Sequence, residues 1–149
     1  MDINKRMEME PALLQSIILS DYAVREQGTG KMTLVGVFHQ YNLPQTPAAV
    51  PPFFVTVAIT NLRGKIESLP VTVRIEEMAS SAVVGSATGK IASKAELTVD
   101  NIVEIPFPFP HVVFQSVGLY KIVVLVNNEP VGNRTFMVRT ITAAAQQDV

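Results

Sequence analysis

Between Leu69 and Glu76 apolar and polar residues alternate: Leu69, Val71, Val73 and Ile75 on one parity, Thr72, Arg74 and Glu76 on the other. A period of two sends successive side chains to opposite faces of an extended backbone, so this run predicts a strand with one buried face. Phe53 to Asn61 repeats the pattern, with Phe53, Val55, Val57 and Ile59 inward against Thr56, Ala58 and Thr60. Gly118 to Val126 departs from it. Tyr120, Ile122, Val124 and Val126 share one parity and Leu119, Val123 and Leu125 the other, so both faces are apolar. Such a strand sits in the middle of an architecture or under a partner. Asn127-Asn128 and a second β-rich run, Asn133 to Ile141, follow, and the pair predicts a hairpin.

The rest of the chain is read the same way. Leu13 to Arg25 is extended but of mixed parity, which predicts a bulge or cover on both faces. Glu26 to Gly30 is a turn, and Lys31 to Leu43 a strand whose interior Gly36 marks a bulge or a close backbone approach. Pro44 to Pro52 holds four prolines in nine residues and predicts a stiff, extended crossover from one edge or sheet to another. Met78 to Ser93, with Gly85 and Gly89, predicts one short edge hairpin. Glu96 to Pro106 predicts a strand with Leu97, Val99, Val103 and Ile105 inward, and Phe107 to Pro110 a polyproline-like segment. No stretch predicts a stable helix. Seven to nine short strands predict an all-β fold: a two-sheet antiparallel β-sandwich, immunoglobulin-like, with little or no helix. Residues 12–141 form its single domain, between a flexible N-terminal segment, 1–11, and a flexible tail, 142–149. The expected core is Val55, Val57, Ile59, Val71, Val73, Ile75, Leu97, Val99, Ile122 and Val124.

Composition narrows the function. The 149 residues are 48% hydrophobic and 17% charged, with net charge −1. Lys and Arg are scattered singly, which disfavours binding to nucleic-acid phosphates. There is no cysteine, so disulfides, thiolate chemistry and metal–sulfur sites are absent. The apolar run Ala12 to Leu19 is much shorter than the ~20 residues that span a bilayer. A soluble cytoplasmic protein without membrane contact is expected.

Candidate chemistry is sparse. Gly28-Thr29-Gly30-Lys31 has the look of a phosphate loop, but Arg25 stands where the first Gly belongs, Met32 follows the Lys, and a strand follows in place of a helix. The reading is a hairpin turn. His39 and His111 are the two histidines; Asp21, Asp100 or Glu104 are the carboxylates that could orient them, with no nucleophile or metal-ligand spacing in support. Glu76 and Glu77 are adjacent, so they point to opposite faces and form no carboxylate pair. Phe107 and Phe109, spaced by prolines, either plug the end of the fold or present an aromatic surface. Leu119, Val123 and Leu125 point outward if Tyr120 to Val126 fill the core, and need a cover; a second copy is the favoured one. The expected binding residues are therefore Phe107, Phe109, Leu119, Val123 and Leu125, with no catalytic residue, no metal and no cofactor. The expected function is a non-catalytic binding or assembly module that meets a protein partner or itself as a homodimer. A small-ligand binder with an apolar cavity and a hydrolase using a His–carboxylate pair are the alternatives.

Two stretches carry resemblances. Ser116-Val117-Gly118-Leu119-Tyr120-Lys121-Ile122-Val123-Val124 resembles the penultimate strand of immunoglobulin-like and fibronectin-like sandwiches, where a Tyr after a Gly anchors a strand corner. Ser20 to Val24, Thr29 to Phe38, Pro52 to Val55, Gly118 to Tyr120 and Val126 to Gly132 together are similar to an uncharacterised bacterial family of small cytoplasmic β-sandwich proteins, a domain of unknown function. That likeness runs from about Ile17 to Arg139. It implies the fold and the compartment and no ligand or activity.

Overall fold

The computed structural model describes residues 12–141, all of them strand, turn or irregular chain without helix. The expected flexible ends, 1–11 and 142–149, lie outside the described residues. Eleven strands follow in order: β1 Leu13–Arg25, β2 Met32–Phe38, β3 Gln40–Leu43, β4 Ala48–Ala49, β5 Phe53–Thr60, β6 Gly64–Glu77, β7 Val83–Leu97, β8 Val103–Phe109, β9 Val113–Phe114, β10 Gly118–Val126 and β11 Glu129–Thr140. They form a four-stranded sheet, β2-β1-β5-β8, a five-stranded sheet, β3-β11-β10-β6-β7, and a small β4-β9 ladder. All pairings are antiparallel except β3 with β11, which is parallel and makes the larger sheet mixed. Among the described residues no helix is long and apolar enough to cross a membrane.

Local chemistry explains most of the path. Asn127 and Asn128 both have positive φ (52° and 66°) between the paired residues Val126 and Glu129. Two left-handed residues make the tight hairpin turn whose twist matches its strands, and Asn is one of the few side chains that tolerates it. The mixed parity of β1 is a bulge: its register with β5 shifts between Leu14 and Ser16. Gln15, the extra residue, donates its amide to the Thr60 hydroxyl at 3.0 Å. The chain leaves the four-stranded sheet at His39, a single bend residue between β2 and β3, so the expected strand Lys31 to Leu43 is two strands in different sheets. The proline-rich segment returns it from β3 to β5.

Apolar side chains from both larger sheets meet in one core. Leu19, Val55, Val57 and Ile59 come from one; Val71, Val73, Ile75, Ile122, Val124 and Val138 from the other. One end is aromatic: Phe38, Tyr41, Phe53, Phe109, Phe114, Tyr120 and Phe136 are linked by ring contacts, many of them edge-to-face. That geometry suits the ring quadrupole.

Three expectations are corrected. Val99 is 49% exposed, and Leu97 is half-buried. The expected strand from Glu96 to Pro106 is broken at 98–102, where the Thr98 hydroxyl bonds Asp100 and the Thr98 amide donates to the Asn101 side chain at 2.8 Å. Met78 to Ser93 is no short hairpin, because Val83 to Leu97 is one edge strand of 15 residues. Phe107 to Pro110 is not a free polyproline segment either: Pro106, Phe107, Pro108 and Phe109 pair with Thr56, Val55, Phe54 and Phe53. Proline is tolerated there because β8 is an edge, where a missing N–H leaves no ladder bond unmade.

Candidate interaction surface

Of the five expected binding residues, four are withdrawn from solvent. Phe107 and Phe109 are 2% and 3% exposed. They reach across to β7, where a Cβ at Gly89 would meet the Phe107 ring at 3.2 Å and one at Gly85 the Phe109 ring at 3.1 Å. The glycines that weaken the sequence pattern of β7 are the slots that accept these rings. Val123 and Leu125 do face away from the core, yet each is only 8% exposed. They sit on the central strand β10, Val123 between Arg74 and Asn133 and Leu125 between Thr72 and Pro130. Flanking side chains cover them, and the Arg74 Nε is itself buried without a hydrogen-bond partner among the described residues. Leu119, nearer the end of the strand, is 44% exposed.

Among the described residues, neither histidine is brought to a carboxylate. His39 Nδ1 lies 2.7 Å from an Arg134 guanidinium nitrogen. Arginine has no acceptor, so Nδ1 accepts and the ring proton sits on Nε2. His111 is exposed just beyond Pro110, with no hydrogen bond among the described residues. Gly28 and Gly30 both have positive φ in the β1–β2 hairpin, where Arg25 donates to the Gly30 carbonyl at 2.9 Å. The phosphate-loop look is thus a turn. No group of three or more His, Asp or Glu is placed to hold a metal among the described residues.

Sequence reasoning missed Glu77. Its carboxylate accepts from Ser116 at 2.9 Å, from Ser80 at 3.0 Å and, more weakly, from Tyr120 at 3.3 Å. These bonds, Ser116 first, hold its carboxyl below the usual range. The Tyr120 hydroxyl donates to the Ser116 carbonyl at 2.7 Å, and burial pushes that phenol up. The arrangement pins the start of β10.

Two features remain open. One is a groove of about 460 Å³ at the end of the fold, with Leu62, Ile66, Leu69 and Val126 in its wall and Lys65, Glu67 and Glu129 among its polar groups. The other is an apolar surface on β1 and β2. Tyr22 is 65% exposed, Val24 55%, and Val35 and Val37 49% each. Tyr22 pairs directly with Val35, Val37 with Ser20 and Val24 with Thr33, so all four share the outer face in successive rows of the two strands. Directly opposed residues on two strands lie ~5 Å apart at Cβ. β2 is also an outermost strand, with β1 on one side and no strand on the other among the described residues. The signal is present in the sequence as the uncharged run Met32 to Phe38, but its parity does not say which face is core.

No curated protein matches the chain. Among solved structures, Pseudomonas fluorescens alkylpurine DNA glycosylase AlkC bound to DNA containing an abasic site analog superposes with a TM-score of 0.45 and 12% identity. The match covers 86% of this chain and 30% of that one. A family profile matches residues 15–139, and on that extent the chain belongs to the family of unknown function DUF6941.

Proposed function

We propose that the chain is a non-catalytic binding or assembly module that acts through protein–protein contacts, built as a two-sheet immunoglobulin-like sandwich in the bacterial cytoplasm. The fold reading is supported by the single core shared by the two larger sheets and by the Tyr120 hydroxyl bonded back to the Ser116 carbonyl, the corner such sandwiches use. The compartment reading is supported by the absence of cysteine. The observation that carries the functional reading is the cluster Tyr22, Val24, Val35 and Val37, four large apolar side chains about half exposed or more on one face. Contiguous apolar surface of this kind marks contact sites. The test is paired affinity capture with the wild-type chain and a folded Val35→Lys/Val37→Lys variant as baits. Proteins, this chain included, retained by the first and lost from the second are the expected result. Identical captures would remove the reading.

A small-ligand role has one observation in its favour. The groove beside Leu62 and Leu69, about 460 Å³, falls within the ~300–1,000 Å³ usual for ligand sites. Filling it with Leu69→Trp should then abolish any thermal shift produced by a small-molecule library hit.

A further inference from the structure

The two larger sheets have four outer strands, and three are guarded against pairing with another chain. β8 carries Pro106 and Pro108, which remove donors from its edge. β7 carries exposed Lys90, Lys94 and Glu96. β3 is only 4 residues long. Charges, prolines and shortness are the usual means of keeping a strand edge from recruiting a partner. β2 has none of them: its 7 residues, Met-Thr-Leu-Val-Gly-Val-Phe, include no charge and no proline, and its one irregularity is Gly36, at φ +70°. The guard is missing on the same strand that carries the exposed valines.

We infer that β2 is a self-pairing edge: in a dimer, β2 of one copy lies antiparallel to β2 of a second copy, joining the two four-stranded sheets into one. The inference rests on the protein-contact reading above and names its partner. Two features favour a second copy over a different protein. First, the outer face here is uncharged, with Thr33, Val35 and Val37 on β2 and Ser20, Tyr22 and Val24 on β1. A two-fold axis centred on Val35 sets that residue against its own image, where a charge would oppose pairing. Val35, mid-strand, can meet Val35 of the other copy, with Tyr22 in the next row on both sides. Second, the strand is long enough. Its 7 residues exceed the ~5–6 of a usual strand, and pairing them satisfies the backbone groups that β2 leaves open on its outer edge, with Val35 and Val37, 49% exposed each, flanking the new ladder. A reversible dimer, dissociating on dilution, is what one such ladder supports.

Sedimentation velocity over a wide concentration range should show a monomer–dimer equilibrium. Val35→Lys/Val37→Lys should weaken it at least ~10-fold, since like charges then face each other across the new ladder. The chain has no thiol of its own, so single-cysteine variants report the contact directly. Val35→Cys should oxidise to a covalent dimer well ahead of Leu119→Cys, which sits on the other sheet with similar exposure. A wild-type chain that stays monomeric at every concentration overturns the inference. So does a dimer untouched by the two lysines, or equal cross-linking at both cysteines. A monomer whose two baits still capture different proteins would sink self-pairing and leave the contact reading standing. Should the lysine variant lose its β-sheet circular dichroism, the two cysteine variants alone decide the matter.

Discussion

Thr56 sits in the middle of β5 with 3% exposure, and its hydroxyl has no hydrogen-bond partner among the described residues. An unpaired buried hydroxyl costs free energy, so Thr56→Val should raise stability by about 1 kcal/mol in urea unfolding. A loss would mean that the hydroxyl finds water in solution. Gly36 makes the opposite case. Its φ is +70°, and the Asp21 carboxyl occupies the place a Cβ would take. Gly36→Ala should cost roughly 1–2 kcal/mol for the left-handed backbone and more for the displaced carboxyl. Adding Asp21→Ala should recover the second part and leave the first. The sequence marks Gly36 as special because a glycine inside a strand has few other reasons to be there. It is silent about Thr56, which has the polar parity of an outward residue. The inward parity of Val73 and Ile122 is equally legible, and both are fully buried. Val99 misleads because nothing in the alternation shows that Thr98 and Asn101 close a turn around it.

Hairpins are the most legible elements, since Asn127-Asn128 and Gly28 to Gly30 state their backbone conformation in residue type. β7 is the least legible. Its pattern is diluted by Gly85 and Gly89, whose purpose emerges only when Phe109 and Phe107 arrive from about twenty residues downstream. The expected binding residues fail for a related reason. Period-two reading says that Val123 and Leu125 face out, which they do, but cannot say that neighbours on both sides cover a central strand. The start of β10 adds a pH dependence. Hydrogen bonds from Ser116 and Ser80, with Tyr120, lower the Glu77 carboxyl from its ordinary 4.5. A folded-state value below the unfolded one stabilises the fold fully above about pH 4.5 and is lost as pH falls through the folded value. Glu77→Gln resembles the protonated acid. The stability gap between wild type and Glu77→Gln at neutral pH should therefore close as pH falls below 4.5 and through the folded-state value. Ser116→Ala, which removes the largest contribution, should narrow the same gap at neutral pH. A gap independent of pH would show that the corner does not depend on the carboxylate's charge.

Across the whole molecule, the two larger sheets are tied at one side by an arginine on the core-facing side of β11. Arg134 pairs with Ile122 and shares its face with Phe136 and Val138. From there Nη1 donates to the Ile17 carbonyl of β1 at 2.9 Å, and Nη2 to His39 at 2.7 Å. The ladder between β1 and β2 ends at Leu19–Phe38, so Ile17 lies beyond the reach of β2, and the guanidinium meets β1 where its neighbour has run out. The same group holds the bend at which the chain changes sheets. No sequence pattern links residues 17, 39 and 134; only the topology brings them together. Hydrogen bonds from a charged donor contribute about 1.5–3 kcal/mol each, while the arginine stem contributes packing as well. Arg134→Met keeps most of the stem and removes both donors, so its cost in urea unfolding should be at least that of the part-buried bond to Ile17 alone, about 1.5 kcal/mol or more. Arg134→Lys should recover little, because one ammonium cannot reproduce the planar fork. His39→Ala should cost less than either, since the bond to Ile17 survives it. Amide exchange near Ile17 should quicken in Arg134→Met ahead of the centre of β10. An Arg134→Met chain as stable as the wild type, with unchanged exchange at Ile17, would mean the sheets are held by their shared core alone.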